Sequence, residues 1–287
     1  MPTEAGITVA IPCYNGAAYV HYAIESLLAQ THPADEILVI DDGSTDESAA
    51  VVRRYPVRLV QHKQNKGLAT ARNTAIAQAQ GDIVAFIDVD AFADRNCLEV
   101  LLNGYSAPQI GGVGGQGIEV NIRSLADRWR KAHASQSHGR APKDVPFLYG
   151  LCMSFRRKAL HQIGGFDVAF RTNGEDMDIG LRLNAAGFRL RYLPDAKVYH
   201  QRTDDLDSLQ RTMEAWYSAA YRALCVNQSH PWRIFAGTVR RICTDPLHDL
   251  IAERDLELAH LSWRIGWIKL LALWRMAREI RSEENVS

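Results

Sequence analysis

The feature that most constrains this chain is a series of short, uninterrupted aliphatic runs in its first third. Ile7-Thr-Val-Ala-Ile11, Glu36-Ile-Leu-Val-Ile40, Val57-Arg-Leu-Val60 and Ile83-Val-Ala-Phe-Ile87 are each of strand length and carry little polar alternation. Segments of helical periodicity lie between them, at about Ala17 to Gln30, Ser44 to Tyr55 and Gly67 to Gln80, and a fourth, Asp94 to Tyr105, follows. A strand apolar on both sides must be covered on both sides. Alternation with helices of this length predicts an α/β fold of Rossmann type, a mostly parallel sheet with helices on both faces. Right-handed crossovers then bring the strand C-termini to one rim, beyond which ligands bind.

The rest of the chain continues less regularly. Ile110 to Gly117 is a glycine-rich strand, Leu125 to Ser137 a helix, and Ser135 to Asp144 a polar loop. Tyr149 to Phe155 reads as a strand, Glu175 to Ala186 as a helix, and Leu190–Leu193 with Lys197–His200 as a strand pair. From Asp205 the pattern is helical almost to the end, with breaks expected near Pro231 and Pro246. The expected division is an α/β catalytic domain over residues 1–204 and a helical extension over 205–287.

Composition excludes several classes. Of 287 residues, 33 are Lys or Arg and 33 Asp or Glu, so no net field draws in nucleic acid. Five scattered cysteines without a CxxC pair fit buried thiols in a reducing compartment, not a disulfide framework or zinc site. The start of the chain lacks a basic n-region, and no stretch reaches the ~18 apolar residues of a membrane span. The expectation is a cytoplasmic protein, free or peripheral on the inner face of the membrane.

Acidic residues gather where strands end. Asp41-Asp42-Gly43-Ser44-Thr45-Asp46 follows the second run and Asp88-Val89-Asp90 the fourth. Two carboxylates at i and i+2 on a turn can face one hard cation; Mg²⁺ or Mn²⁺ takes oxygen ligands and bridges carboxylates to substrate phosphates. Aspartate is also an ordinary turn residue, so the DxD gains weight from standing on the same rim as the DDGSTD turn. A third group, Gly174-Glu175-Asp176-Met177-Asp178, opens a predicted helix, where acids also suit the helix N-terminus.

Taken in order, these segments resemble the family 2 glycosyltransferases of GT-A fold. The matching stretches are Val9-Ala-Ile-Pro-Cys-Tyr-Asn15, Ile40-Asp-Asp-Gly-Ser-Thr-Asp46, Asn65-Lys-Gly-Leu-Ala-Thr-Ala-Arg-Asn73, Gly81-Asp82, Phe86-Ile-Asp-Val-Asp90, Gly164-Gly-Phe-Asp167 and Gly174-Glu-Asp-Met-Asp178. The resemblance implies an inverting, metal-dependent transfer of sugar from a nucleotide-sugar, a UDP-sugar by default, to a hydroxyl of a saccharide, lipid-linked or protein acceptor. It implies that Asp41, with Asp42 beside it, binds the nucleotide base. The Pro12 loop with Tyr14 and Asn15 would lie alongside, and Lys66 and Arg72 would approach the nucleotide or its phosphates. Asp90 would bind Mn²⁺ or Mg²⁺, with Asp88 and Val89 at the ribose or metal shell, and Gly150 would line the sugar site. The general base falls on Asp176, with Glu175 as the alternate. His200, closing a predicted strand, is either a further metal ligand or a structural hydrogen-bonder. Asp82 is read as a turn acid. A Gln-x-x-Arg-Trp motif, present in some family members, has no match between Arg202 and Trp232, which argues against a processive polysaccharide synthase.

Two other functions fit the same outline. A nucleotidyltransferase also sets a metal-bound nucleotide on an α/β sheet, but Pro12-Cys-Tyr-Asn15 stands where it would carry a glycine-rich basic loop. A non-catalytic sugar-nucleotide sensor is opposed by the intact Asp88, Asp90 and Asp176. In the extension, Trp263, Trp267 and Trp274 share one helix face, and five Lys/Arg stand against one acid between Leu258 and Ser282. That stripe suits packing on the catalytic domain, a homodimer contact or a membrane interface.

Overall fold

The computed structural model describes residues 6–227 and 232–284. The chain divides into two units, residues 1–120 with 136–202, and residues 121–135 with 203–287. The division expected at 204/205 lies close to the second crossing but misses the first, because residues 121–135 belong with the C-terminal helices.

The first unit is built on β1 (Ile7–Cys13), β2 (Glu36–Asp41), β3 (Arg58–Gln61), β4 (Ile83–Ile87), β5 (Ala91–Ala93), β6 (Ile110–Glu119), β7 (Lys143–Val145), β8 (Cys152–Arg156) and β9 (Arg189–His200). They form one sheet in the order β3-β2-β1-β4-β8-β6-β9-β5, with β7 also on β9. The β3-β2-β1-β4 half is parallel throughout, β6 runs parallel to β9, and β5, β7 and β8 pair antiparallel to their neighbours.

The aliphatic runs face two cores because a strand alternates sides. Ile7, Val9 and Ile11 with Ile83, Ala85 and Ile87 meet α1 (Val20–Leu28), α2 (Ser48–Val52) and α4 (Cys97–Asn103) on one face. Ala10, Leu38 and Ile40 with Val84 and Phe86 meet α3 (Leu68–Gln78), α6 (Arg157–Gln162) and α7 (Glu175–Ala185) on the other. This double coverage is why the strands carry so little polar alternation.

Two expectations need correction here. Residues 190–200 form one strand, β9, not a pair: its register against β6 steps from Gly114↔Tyr192 to Gln116↔Lys197, so Leu193–Ala196 bulge out. Gly115 allows that bulge, since a Cβ there would strike the backbone of Ala196. The polar loop expected to run to Asp144 ends in β7, where Asp144 pairs with Arg189 and Arg191. The strands β5 and β7 and the helix α6 are too short to carry a periodic signal.

The second unit packs α5 (Leu125–His133), α8 (Leu206–Val226) and α10 (Leu256–Glu284) around Trp129, Leu209, Met213, Leu258, Leu261 and Ile265, with α9 (Trp232–Ile251) laid against α10. Reciprocal capping boxes, Ser124 with Asp127 and Asp205 with Ser208, start α5 and α8. The break expected near Pro231 lies outside the described residues. The one expected at Pro246 is absent, and α9 continues to Ile251. One turn beyond Pro246, the buried Asp249 accepts hydrogen bonds from His133 (2.7 Å) and Ser262, and these contacts hold the helix past the missing N–H.

Candidate active site

The parallel strands deliver the acidic turns to one rim. Asp41 closes β2 and Asp88 follows β4, while β1 between them leads into Tyr14 and Asn15. Gly16 packs this turn against the DxD, since a Cβ on it would lie 2.6 Å from Val89 Cγ2. Asn15 has a left-handed backbone (φ 51°), its N–H donates to Ser44 Oγ (2.9 Å), and its side-chain oxygen accepts from Thr45 N (2.8 Å). Pro12 is buried in β1 opposite Ile40, whereas the Tyr14 ring is exposed.

Asp41 and Asp42 differ in their engagement. Asp41 is buried and accepts from Ser44 N and Gln61 Nε2, both at 2.9 Å. Asp42 accepts from the N–H groups of Lys66 (3.0 Å) and Gly67 (2.8 Å) and lies 2.6 Å from His62 Nδ1. Its carboxylate thus fastens the start of α3 to the end of β2. The Lys66 side chain, exposed at that helix start, faces solvent.

Arg72 on α3 sits at the centre. It was expected at the nucleotide or its phosphates, yet it is fully buried and its guanidinium is already committed. Nη1 donates to Glu175 Oε1 (2.5 Å) and Nη2 to Asp88 Oδ1 (3.0 Å) and the Gly150 carbonyl (3.2 Å), while Phe86 and Phe166 stack around it at 5.8 and 5.6 Å. Gly150 closes the loop, its N–H donating to Asp176 Oδ2 (3.1 Å). A Cβ at residue 150 would stand 2.9 Å from Arg72 Nη2, so glycine is what lets this backbone approach.

The two carboxylates that open α7 are thereby separated. Glu175 is buried against Arg72, and its second oxygen is enclosed without a protein partner. Asp176 is half-buried and accepts from its neighbour Met177 N (2.8 Å) as well as from Gly150. Burial raises both above the usual carboxylate range, an effect that the Arg72 charge offsets only in part. Asp178, third in the cluster, is spent on Arg182 (2.6 Å).

The second aspartate of the DxD belongs to a different set. His200 ends β9, where it lies in register with Ala91 of β5 on one side and Glu119 of β6 on the other. Its Nδ1 lies 3.0 Å from Glu119 and its Nε2 3.3 Å from Asp90 Oδ2. Burial would lower the His200 pKa, but these two carboxylates override it and raise it to about 9. Burial likewise pushes Asp90 up, but the His200 hydrogen bond and the charges of His200 and Arg202 bring it below the usual range. Asp88 rises to about 6, chiefly by burial and only partly countered by Arg72.

These residues fit a divalent cation that a substrate completes. Asp90 offers an oxygen and His200, once a cation displaces the proton from Nε2, an imidazole nitrogen at one point, with Glu119 holding the far ring nitrogen, as carboxylates behind metal-bound histidines do. Among the described residues no three His, Cys, Asp or Glu side chains form a ready-made cage. Mg²⁺-type sites commonly use one or two protein ligands and leave the rest to phosphates and water.

Glu119, Gln61 and His62 carry no local signal in the sequence. Only strand register reveals Glu119, because nothing in the local sequence links it to a histidine 81 positions later.

A family model for glycosyl transferase family 2 matches residues 8–164, more than half of the chain and most of the rim just described. The chain belongs to glycosyltransferase family 2. It is 32% identical over 243 residues to the pre-mycofactocin glycosyltransferase of Mycobacterium tuberculosis, covering 80% of this transferase and 49% of that protein. It is 24% identical over 230 residues to the poly-beta-1,6-N-acetyl-D-glucosamine synthase of Staphylococcus aureus, covering 76% and 55%. The transferase therefore spans about half the length of these curated relatives. Its fold is that of a Pyrobaculum calidifontis mannosyltransferase solved with GDP-Man and Mn²⁺ (TM-score 0.63, 21% identity, 100% of this chain and 77% of that one). It is shared too with S. aureus TarS solved with UDP-GlcNAc (TM-score 0.60, 16% identity, 95% and 92%). These likenesses establish the GT-A architecture of the transferase.

Proposed function

We propose that this transferase moves a sugar from a nucleotide-sugar, a UDP-sugar in the favoured reading, to an acceptor hydroxyl with inversion, using Mn²⁺ or Mg²⁺, in the assembly of a cell-surface or other glycoconjugate. The observation that carries the reading is the meeting of two sets at one rim, Arg72-Asp88-Glu175-Asp176 and Asp90-His200-Glu119. The solved fold relatives holding GDP-Man with Mn²⁺ or UDP-GlcNAc support it.

Asp90 and His200 would hold the divalent ion, which when bound stabilises charge growing on the departing diphosphate. The Asp41 turn, with Tyr14 and Asn15, receives the nucleoside, and the exposed Lys66 at the start of α3 adds positive charge near it. Arg72 acts from beneath: it fixes the Asp88 carboxylate from one end of its guanidinium and Glu175 from the other. Asp176, the more open carboxylate of α7, takes the acceptor hydroxyl proton as that oxygen attacks the anomeric carbon. Burial strengthens it as a base, because it makes the protonated product of that step less costly. With no protein nucleophile in the sequence of steps, a single displacement inverts the anomeric centre. Glu175 is the weaker candidate, since accepting a proton would break its pair with Arg72.

The experiment is a thermal-shift panel of UDP-, GDP- and dTDP-sugars with and without Mn²⁺, followed by sugar-nucleotide hydrolysis assays on the stabilising donors. A donor binds only the folded protein and raises its melting temperature. A panel without any Mn²⁺-dependent shift would exclude the metal-assisted reading.

A further inference from the structure

Among the described residues, the helical unit carries an exposed apolar face. Helix α10 is apolar on two sides: Leu258, Leu261, Ile265, Ala272 and Leu273 are buried, yet Trp263, Trp267 and Trp274 on its other side are each 44–50% exposed. A helix whose outer side faces water ordinarily carries polar residues there.

Helix α9 extends the same surface. The two helices are joined by residues 252–255, so they pack antiparallel, and Ile242 of α9 meets Gly266 of α10, where a Cβ would lie 2.8 Å from Ile242 Cγ1. From that contact, Trp232, Val239 and Leu250 on α9 stand roughly 60–80° around the helix at ~100° per residue, all exposed. Trp263, Trp267 and Trp274 stand roughly 60–100° around α10 in the same rotational sense. In an antiparallel pair equal rotations lead to the same side. The two rows therefore form one face, with a shallow depression of about 490 Å³ lined by Trp263, Arg264, Trp267 and Ile268.

The charge beside this face is mostly basic, with Glu257 as the one exposed acid among four arginines there. Further around in the same sense come Arg233 and Arg240 on α9 and Arg264 and Arg278 on α10. Arg233 lies 5.9 Å from the Trp232 ring and Arg278 4.7 Å from that of Trp274, so cationic heads sit beside the indoles at the edge of the apolar surface.

We infer that this face of the α9–α10 hairpin docks on the surface of an anionic phospholipid bilayer, lying in the interface without crossing it. Tryptophan favours the headgroup level, where its ring is buried and its N–H is wet, and flanking arginines extend to lipid phosphates. No described helix is long and apolar enough to span a bilayer. A second copy of the chain is the poorer occupant, because both edges of this face carry arginines and a two-fold contact through it would set arginine-bearing edges of the two copies against each other. The inference is independent of the transferase reading: sugar transfer in solution without bilayer binding would overturn it and leave that reading intact.

The test uses the full chain with vesicles of phosphatidylcholine mixed with phosphatidylglycerol, against vesicles of phosphatidylcholine alone. All six tryptophans lie in the helical unit, so their emission reports on this region. Expected are flotation with the mixed vesicles only, a blue shift on binding, and release by salt. Replacing Arg264 and Arg278 by Gln should weaken partitioning by about fivefold per arginine, and Trp263→Ser with Trp267→Ser should abolish it. Circular dichroism and the melting temperature check that these surface variants are folded. Absence of flotation with mixed vesicles, equal flotation with both vesicle types, or a dimer in solution that Trp263→Ser dissociates would each overturn the proposal.

Discussion

Arg72 and Glu175 lie 103 residues apart in sequence and meet at 2.5 Å, both side chains inside the protein. This contact joins α3 to α7 beneath the rim, and through Nη2 the same guanidinium fixes the first aspartate of the DxD. The residue that resembles a phosphate contact in sequence is thus a keystone in the structure.

Removing the keystone should be costly in stability as well as in activity. Arg72→Ala leaves Glu175 and Asp88 without their cation, and breaking a buried pair from one side costs about 3–5 kcal/mol. Arg72→Lys keeps the charge but cannot bridge both acids and the Gly150 carbonyl, so it should recover part of the stability and little of the turnover. Urea unfolding followed by circular dichroism measures the first, and initial rates measure the second. An Arg72→Ala protein of native stability would show that the bridge adds nothing to the fold.

The two carboxylates of α7 should separate by their kinetics. Asp176→Asn is expected to reduce kcat by orders of magnitude while donor affinity stays nearly constant, since a base acts on the acceptor proton in the transition state. Glu175→Gln should instead lower stability together with rate, because it weakens the bond to Arg72. If Asp176→Asn lost donor binding and kept kcat for the donor still bound, its role would lie in the donor site.

Glu119 is a test of how His200 is held. Loss of the carboxylate behind a metal-bound imidazole typically weakens metal affinity 10- to 100-fold. Glu119→Gln should therefore shift the Mn²⁺ concentration needed for nucleotide binding by about that factor, read by the paramagnetic resonance of free Mn²⁺ in the presence of UDP. Asp90→Ala should remove the Mn²⁺ dependence altogether. Unchanged Mn²⁺ titrations in both variants would place the ion elsewhere.

What was legible in the sequence follows from where each signal is stored. The aliphatic runs of β1, β2 and β4 announce a sheet covered on both faces, because burial on both sides is a property of the strand itself. The turns carrying Asp41, Asp88, Asp90 and Asp176 were readable as well, since each follows directly from a strand or opens a helix. The internal bridge made by Arg72 and the part played by Glu119 were not legible, because both arise from partners far along the chain, delivered by helix packing and by the β6–β9 register. Helix α5 was recognised as a helix but assigned to the wrong unit. Its Trp129 donates to Ser262 (2.8 Å), a contact that no local pattern encodes.

That misassignment changes what a truncation should do. Ending the chain at residue 204 would strip α5 of α8, α9 and α10 and leave the buried Trp129 and Ala126 facing water. Such a fragment is expected to aggregate. The ends of the inserted segment are close, since Gly117 N–H donates to the Gln136 carbonyl at 2.9 Å. Replacing residues 121–135 by a short Gly/Ser linker in the same fragment should therefore restore solubility and Mn²⁺-dependent nucleotide binding. A linker fragment that still precipitates would show that the first unit needs the helices to fold.

Lys269 should impose a pH dependence on the helical unit. It is buried with its ammonium 4.6 Å from the Trp129 ring and 4.8 Å from that of Tyr217. Burial dominates and lowers its pKa from 10.5 to about 7, with Asp245 opposing the shift. The unfolded chain then binds a proton that the folded chain does not between about pH 7 and 10.5, so stability rises with pH across that window. Below about pH 7 both states are protonated and the full cost of the buried charge is present, at about 1.4 kcal/mol for each tenfold difference in proton affinity. Lys269→Met removes the charge at nearly constant volume. It should therefore stabilise the unit by a few kcal/mol near neutral pH, with the gain shrinking towards pH 10. Tryptophan emission during urea unfolding reads this unit alone, and the difference between wild type and variant cancels the other titrating groups. A difference that is flat with pH, or a variant less stable at pH 7, would mean that the aromatic rings hold Lys269 in its charged form.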